Sequence, residues 1–129
     1  GIMSAPTVSQ YAAIEAMTTC EEDVRRMNSE YDMRRRYLVN AFNELGLDCF
    51  TPEGAFYVFP CIKSTGLKSE EFCEKLLYAK QVAVVPGNAF LTDEAAPCQA
   101  FRLNYSTPTD EAMRQGVERL GRFARDYLK

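Results

Sequence analysis

An α+β fold, a small sheet with helices packed on one face and preceded by a long amphipathic helix, follows from three features of this 129-residue sequence. A long stretch near the start and another at the end carry apolar residues at the three-and-four spacing of a helix with one buried face. Short aromatic or β-branched runs lie between them, each bounded by Pro or Gly. In order, the elements run helix, long helix, two strands, helix, strand, strand, helix, which suits helices layered on a small sheet.

The first helix runs through Tyr11-Ala12-Ala13-Ile14-Glu15-Ala16-Met17. Its alanines favour helix, and Ser4, Thr7 or Ser9 can cap it. Thr18-Thr19 reads as a break. The long helix then opens on Glu21, Glu22 and Asp23, whose charge suits a helix N-terminus. Val24, Met27, Tyr31, Leu38, Phe42 and Leu45 make one stripe, and Gly46 stands where a C′ glycine ends a helix. Leu47 to Thr51 and Ala55-Phe56-Tyr57-Val58-Phe59 read as two strands joined across Pro52-Glu53-Gly54 in a hairpin.

Ser69 is expected to cap the third helix, with Glu70 and Glu71 in its first turn and Phe72, Leu76 and Leu77 facing inward. Val82-Ala83-Val84-Val85 reads as a short buried strand ended by Pro86-Gly87-Asn88. Leu91 to Gln99 is a polar loop. Ala100 to Tyr105 is the last strand, with Phe101, Leu103 and Tyr105 on one side and Arg102 and Asn104 on the other. Thr107-Pro108-Thr109-Asp110 reads as a helix start, and Met113, Val117, Leu120, Phe123, Ala124 and Tyr127 line the final helix.

Composition narrows the chemistry. Apolar residues make up 47% and charged residues 26%, so the chain can build a core and disorder is excluded as its main state. The net charge of −3 gives no basic footprint for nucleic acid. No apolar run nears the roughly 18–20 residues of a membrane span, and no signal peptide opens the chain. With zero histidines, Ser-His-Asp triads, Cys-His dyads and imidazole-bound zinc are impossible. The five cysteines, an odd number without a Cys-x-x-Cys pair, read as reduced thiols in the cytoplasm, and no metal site is expected. The abrupt start at Gly1-Ile2-Met3 reads as a cut within a longer protein.

Three places could carry a ligand. Glycine beside aromatic residues in Pro52-Glu53-Gly54-Ala55-Phe56-Tyr57 can let a ligand approach the backbone with a ring as one wall, although the plainer reading is a turn into a core strand. Val85-Pro86-Gly87-Asn88-Ala89-Phe90 could offer backbone N–H groups to an anion, although it contains no phosphate-loop pattern and a plain turn is favoured. Arg102, on the last strand, can present a fixed fork to a carboxylate, against the plainer reading of a solvated sheet face. The run Arg34-Arg35-Arg36 reads as a charged helix face without a ligand.

These segments occur together and in order in one known family. Ser4-Ala5-Pro6-Thr7-Val8-Ser9-Gln10-Tyr11-Ala12-Ala13-Ile14-Glu15-Ala16 resembles the helix leaving the cofactor domain of class I/II, fold-type-I aminotransferases. Tyr31-Asp32-Met33-Arg34-Arg35-Arg36 is similar to that family's Tyr-x-x-Arg-Arg helix, and Pro52 to Pro60 to its Pro-x-Gly-Ala-Phe-Tyr strand. Val82 to Phe90 resembles its Val-Ala-Val-x-Pro-Gly-x-x-Phe segment, and Phe101-Arg102-Leu103-Asn104-Tyr105-Ser106 its arginine strand. Ser64-Thr65-Gly66-Leu67 and the Pro-Gly segment resemble the bacterial aromatic-amino-acid and N-acetyl-diaminopimelate aminotransferases.

The resemblance implies the family's small-domain fold and a parent enzyme that moves an amino group between an amino acid and a 2-oxo acid through pyridoxal 5′-phosphate. It implies that Arg102 binds the substrate α-carboxylate and that Phe56, Gly54 and Ala55 border the substrate. It also implies that the Schiff-base lysine lies in a missing cofactor domain that binds most of the cofactor, since Lys63, Lys68, Lys75, Lys80 and Lys129 lack its sequence context. No catalytic residue is then expected in this chain, which alone would be inactive. Residues 1–20 would be a remnant of the linking helix, residues 21–129 the C-terminal small domain, and the whole enzyme a homodimer. The alternative is a free-standing α+β module that binds a small carboxylate or a protein.

Overall fold

The computed structural model describes residues 3–92, 98–106 and 108–128. The chain divides after Asp32 into two compact units. The first holds helix α1 (Thr7–Thr18) and the opening turns of α2 (Glu21–Glu44). Pro6, not a Ser or Thr side chain, stands at the N-cap of α1, and its carbonyl accepts from the Gln10 N–H at 3.1 Å. No α1 residue is buried; Val8, Tyr11, Ile14 and Met17 are all exposed.

The second unit carries the core. Helix α2 opens on its three acids and ends as expected: Gly46 has φ +81°, and the Leu47 N–H reaches back to the Phe42 carbonyl at 3.0 Å. The expected stripe is buried only from Leu38, joined by Val39 and Phe42; Val24 and Met27 are exposed and Tyr31 is half-buried. Arg34 is not a solvated charge. Its guanidinium meets Asp110 Oδ1 at 2.9 Å and the Tyr105 carbonyl at 3.0 Å, tying α2 to the segment after the last strand.

Three short strands follow: β1 (Tyr57–Val58), β2 (Val85–Pro86) and β3 (Phe101–Asn104). Their order is β1-β3-β2, antiparallel throughout, with Tyr57 opposite Asn104 and Val85 opposite Arg102. The expected hairpin between Leu47–Thr51 and β1 does not form. The Asn43 side chain intervenes: its amide oxygen accepts from the Cys49 N–H at 3.0 Å, and its amide nitrogen donates to the Cys49 carbonyl at 2.9 Å. Those backbone groups are satisfied without a strand partner, as buried backbone requires. The strand expected at 82–85 is also corrected. It shrinks to Val85–Pro86 at the sheet edge, where Ala83 and Val85 are exposed and proline needs no donor.

Helix α3 (Ser69–Lys80) is entered from Lys68, so Ser69 is its first helical residue and not its cap. The buried Ser69 hydroxyl instead donates to Asn88 Oδ1 at 3.0 Å, and of the three residues expected to face inward, Leu77 is exposed. Helix α4 (Asp110–Arg125) is capped by Thr109, whose hydroxyl accepts from the Ala112 N–H at 3.2 Å. Pro108 therefore precedes the cap; Thr107 lies outside the described residues, as does the 93–97 part of the expected polar loop.

Four phenylalanines join the layers. Phe101 of β3 stacks on Phe72 of α3 at 5.3 Å and meets Phe42 of α2 edge-on at 5.8 Å; Phe72 also meets Phe123 of α4 edge-on. The helices thus cover the Phe101 face of the sheet. Strand alternation puts Arg102 on the other face.

All five cysteines are free. Burial pushes the Cys49 and Cys73 thiols from an ordinary 9.0 up to about 11, with Cys98 adding to the effect on Cys73. The folded chain therefore holds these protons more tightly than the unfolded chain. Their contribution is intact below pH 9 and is lost as pH rises from 9 to about 11. Urea unfolding across that window should show a stability loss on the order of 2 kcal/mol per thiol, absent from a Cys49→Ala, Cys73→Ala chain. Equal slopes for the two chains would refute it.

Candidate functional site

The open face of the sheet holds an arginine between aromatic rings. Arg102 is half-buried at the centre of β3. Its Cζ lies 4.4 Å from the Tyr57 ring centroid and 4.3 Å from that of Phe90. Tyr57 comes from β1 on one flank of β3; Phe90 comes from the turn after β2 on the other. Among the described residues no carboxylate and no hydrogen-bond acceptor engages the Arg102 guanidinium. A planar group with five N–H donors and no internal acid is suited to take an oxyanion from outside.

The Pro52 to Tyr57 turn is brought to the same region. Phe56 is half-buried, its ring 5.0 Å from that of Tyr57. Its carbonyl accepts from the Tyr105 N–H at 3.0 Å, and the Tyr105 hydroxyl donates to the Ala55 carbonyl at 3.2 Å. Ala55 is exposed at φ +59°, an uncommon value for a residue with a side chain. Gly54 is exposed as well, and a Cβ added there would meet nothing within 4 Å, so packing inside the chain does not require glycine at this position.

In the Pro-Gly segment, Gly87 serves the frame. Gly87 donates its N–H to the Ala100 carbonyl at 2.9 Å, and an added Cβ would lie 2.7 Å from Cys98 Sγ and 2.8 Å from that carbonyl oxygen. Glycine is needed for this close approach, and its N–H is already used.

Tyr57 and Phe90 are the residues that sequence reasoning missed. Both lay inside recognised segments, but their meeting at Arg102 depends on the β1-β3-β2 order and the Tyr57–Asn104 register. Alternation would place Tyr57 on the Arg102 face once that register is known.

Comparisons with known proteins bear on the family and the fold. The profile of the family described as Aminotransferase class I and II matches residues 1–120. An aspartate aminotransferase of Pyrococcus abyssi is 40% identical over 93% of this chain and 30% of its own length. A Bacillus subtilis protein named for N-acetyl-LL-diaminopimelate aminotransferase is 38% identical over 95% of this chain and 30% of its own. The crystal structure of an aromatic aminotransferase from Pyrococcus horikoshii superposes with a TM-score of 0.82 at 39% identity, over 91% of this chain and 31% of that one. The chain thus spans about 30% of the length of these relatives. An α+β unit with the arginine strand at its centre, a profile matched over nearly its whole length and relatives at about 40% identity together show that this chain belongs to the class I and II aminotransferase family.

Proposed function

We propose that this chain is the C-terminal small domain of a pyridoxal 5′-phosphate-dependent aminotransferase, and that Arg102 binds the α-carboxylate of its amino-acid or 2-oxo-acid substrate. The observation that carries this reading is the Arg102 guanidinium, held by two rings and engaged by no acid among the described residues. A bidentate fork holds a carboxylate in one orientation, which is what placing a substrate Cα over a cofactor requires. Gly54, Ala55 and Phe56 border the same substrate in this reading; the open space beside Gly54 supports it.

Residues around Arg102 do not suit the cofactor itself. The strands and turn that carry Tyr57, Arg102 and Phe90 supply no lysine for a Schiff base. In this proposal the missing domain holds the cofactor and performs the chemistry, and the isolated chain does not transaminate. Residues 1–20 are the linking remnant and 21–129 the small domain; the wholly exposed α1 supports the first assignment. The whole enzyme is a homodimer of the cytoplasm, where free thiols stay reduced, and binds neither nucleic acid nor membrane. Among the described residues no helix is long and apolar enough to cross a membrane.

The alternative, a free-standing module that binds a carboxylate or a protein, is favoured by one observation: the residues after Asp32 form a compact unit with their own core. Intact-mass analysis of the native gene product, immunoprecipitated from its own cells, separates the two. The expected product is about threefold heavier than this chain, by the share of its relatives that it spans, with a Schiff-base lysine upstream. A product of this chain's own mass, or transaminase turnover by the isolated chain, would overturn the proposal.

A further inference from the structure

The structure assigns Tyr57 and Phe90 a task beyond packing: they are positioning residues that fix the Arg102 guanidinium for a planar carboxylate, an inference that rests on the carboxylate reading of Arg102. An arginine side chain has several rotatable bonds and loses their freedom when it binds. Here a ring face lies within 4.4 Å of Cζ on each flank, so the group is restricted before any ligand arrives.

Both rings are themselves held. The Tyr57 backbone is fixed by the β1–β3 ladder, and its ring packs 5.0 Å from that of Phe56. Phe90 closes the 3-10 turn Gly87–Phe90, and that turn is pinned by the Gly87 N–H on the Ala100 carbonyl, an approach that the absence of a Cβ permits, and by Asn88, which accepts from Ser69 and donates to Glu70 Oε1 at 2.7 Å. Phe59 then meets the Phe90 ring edge-on at 5.7 Å. Among the described residues the Arg102 guanidinium makes no hydrogen bond that would tether it. The two rings take the place of one, and leave the N–H donors for an incoming oxyanion.

Arginine side-chain NMR on the full 129-residue chain tests this, with acetate as the carboxylate probe. Rotation about the Arg102 Nε–Cζ bond should be slow, and the side-chain protons should be shifted upfield by the rings. Tyr57→Leu and Phe90→Leu should each speed that rotation and weaken acetate binding about 2–10-fold, while Tyr57→Phe keeps both near the wild-type values. Arg102 signals in the wild type that match free arginine would overturn the inference even if neither leucine variant folds. So would signals unchanged in both leucine variants with an intact amide fingerprint. Slow rotation without any response to acetate would overturn the carboxylate reading and uphold the clamp.

Discussion

Replacing Arg102 by leucine in the full-length parent is expected to lower kcat/KM for the amino-acid substrate by about 10²–10³-fold. Removing one partner of a hydrogen-bonded charge pair in a closed site costs about 2–5 kcal/mol, part of it from leaving the carboxylate unpaired. Stability should change little, because the guanidinium forms no hydrogen bond or ion pair among the described residues and leucine keeps an apolar side chain against the Tyr57 and Phe90 rings. Arg102→Lys should recover only a small part of the loss: an ammonium keeps the charge but not the two parallel N–H bonds. Steady-state kinetics beside a thermal melt make the check. An unchanged kcat/KM in a folded leucine variant would remove Arg102 from the site.

Phe72→Ala carries the largest expected cost to folding. Phe72 is fully buried in α3, stacked on Phe101 and edge-on to Phe123, so truncation opens a cavity where three layers meet. Such changes cost about 3–5 kcal/mol, against a total stability of about 5–15 kcal/mol for a domain. Urea unfolding followed by circular dichroism should show the midpoint falling steeply or the transition disappearing. Phe72→Leu should recover much of the loss, since it refills most of the volume. A midpoint shift worth less than about 1 kcal/mol would contradict the four-ring core.

The helices were legible because their period is written in one local stretch of chain. The stripe from Leu38 to Phe42, the glycine stop at Gly46 and the apolar face of α4 each need only neighbours along the sequence. Misreadings arose where a partner came from elsewhere. Asn43 displaced a hairpin by bonding both backbone groups of Cys49, and Ser69 left a cap position to bond Asn88, 19 residues away. Arg34 looked like surface charge until Asp110 and the Tyr105 carbonyl appeared beside it. Arg102 was visible as a strand residue, but its role came through family resemblance, and its two rings required a register that no single stretch encodes.

The strand order also bears on how the chain acquires its shape during synthesis. Both β1 and β2 pair only with β3, the last of the three to be made. At translation rates of about 5–20 residues per second, β1 waits several seconds without a ladder while the rest of the sheet is still unmade. Until Phe101–Asn104 leaves the ribosome, neither β1 nor β2 has the strand it pairs with. The aromatic run at Phe56-Tyr57-Val58-Phe59 therefore spends that interval without its ladder, the state in which an unpaired strand invites wrong partners.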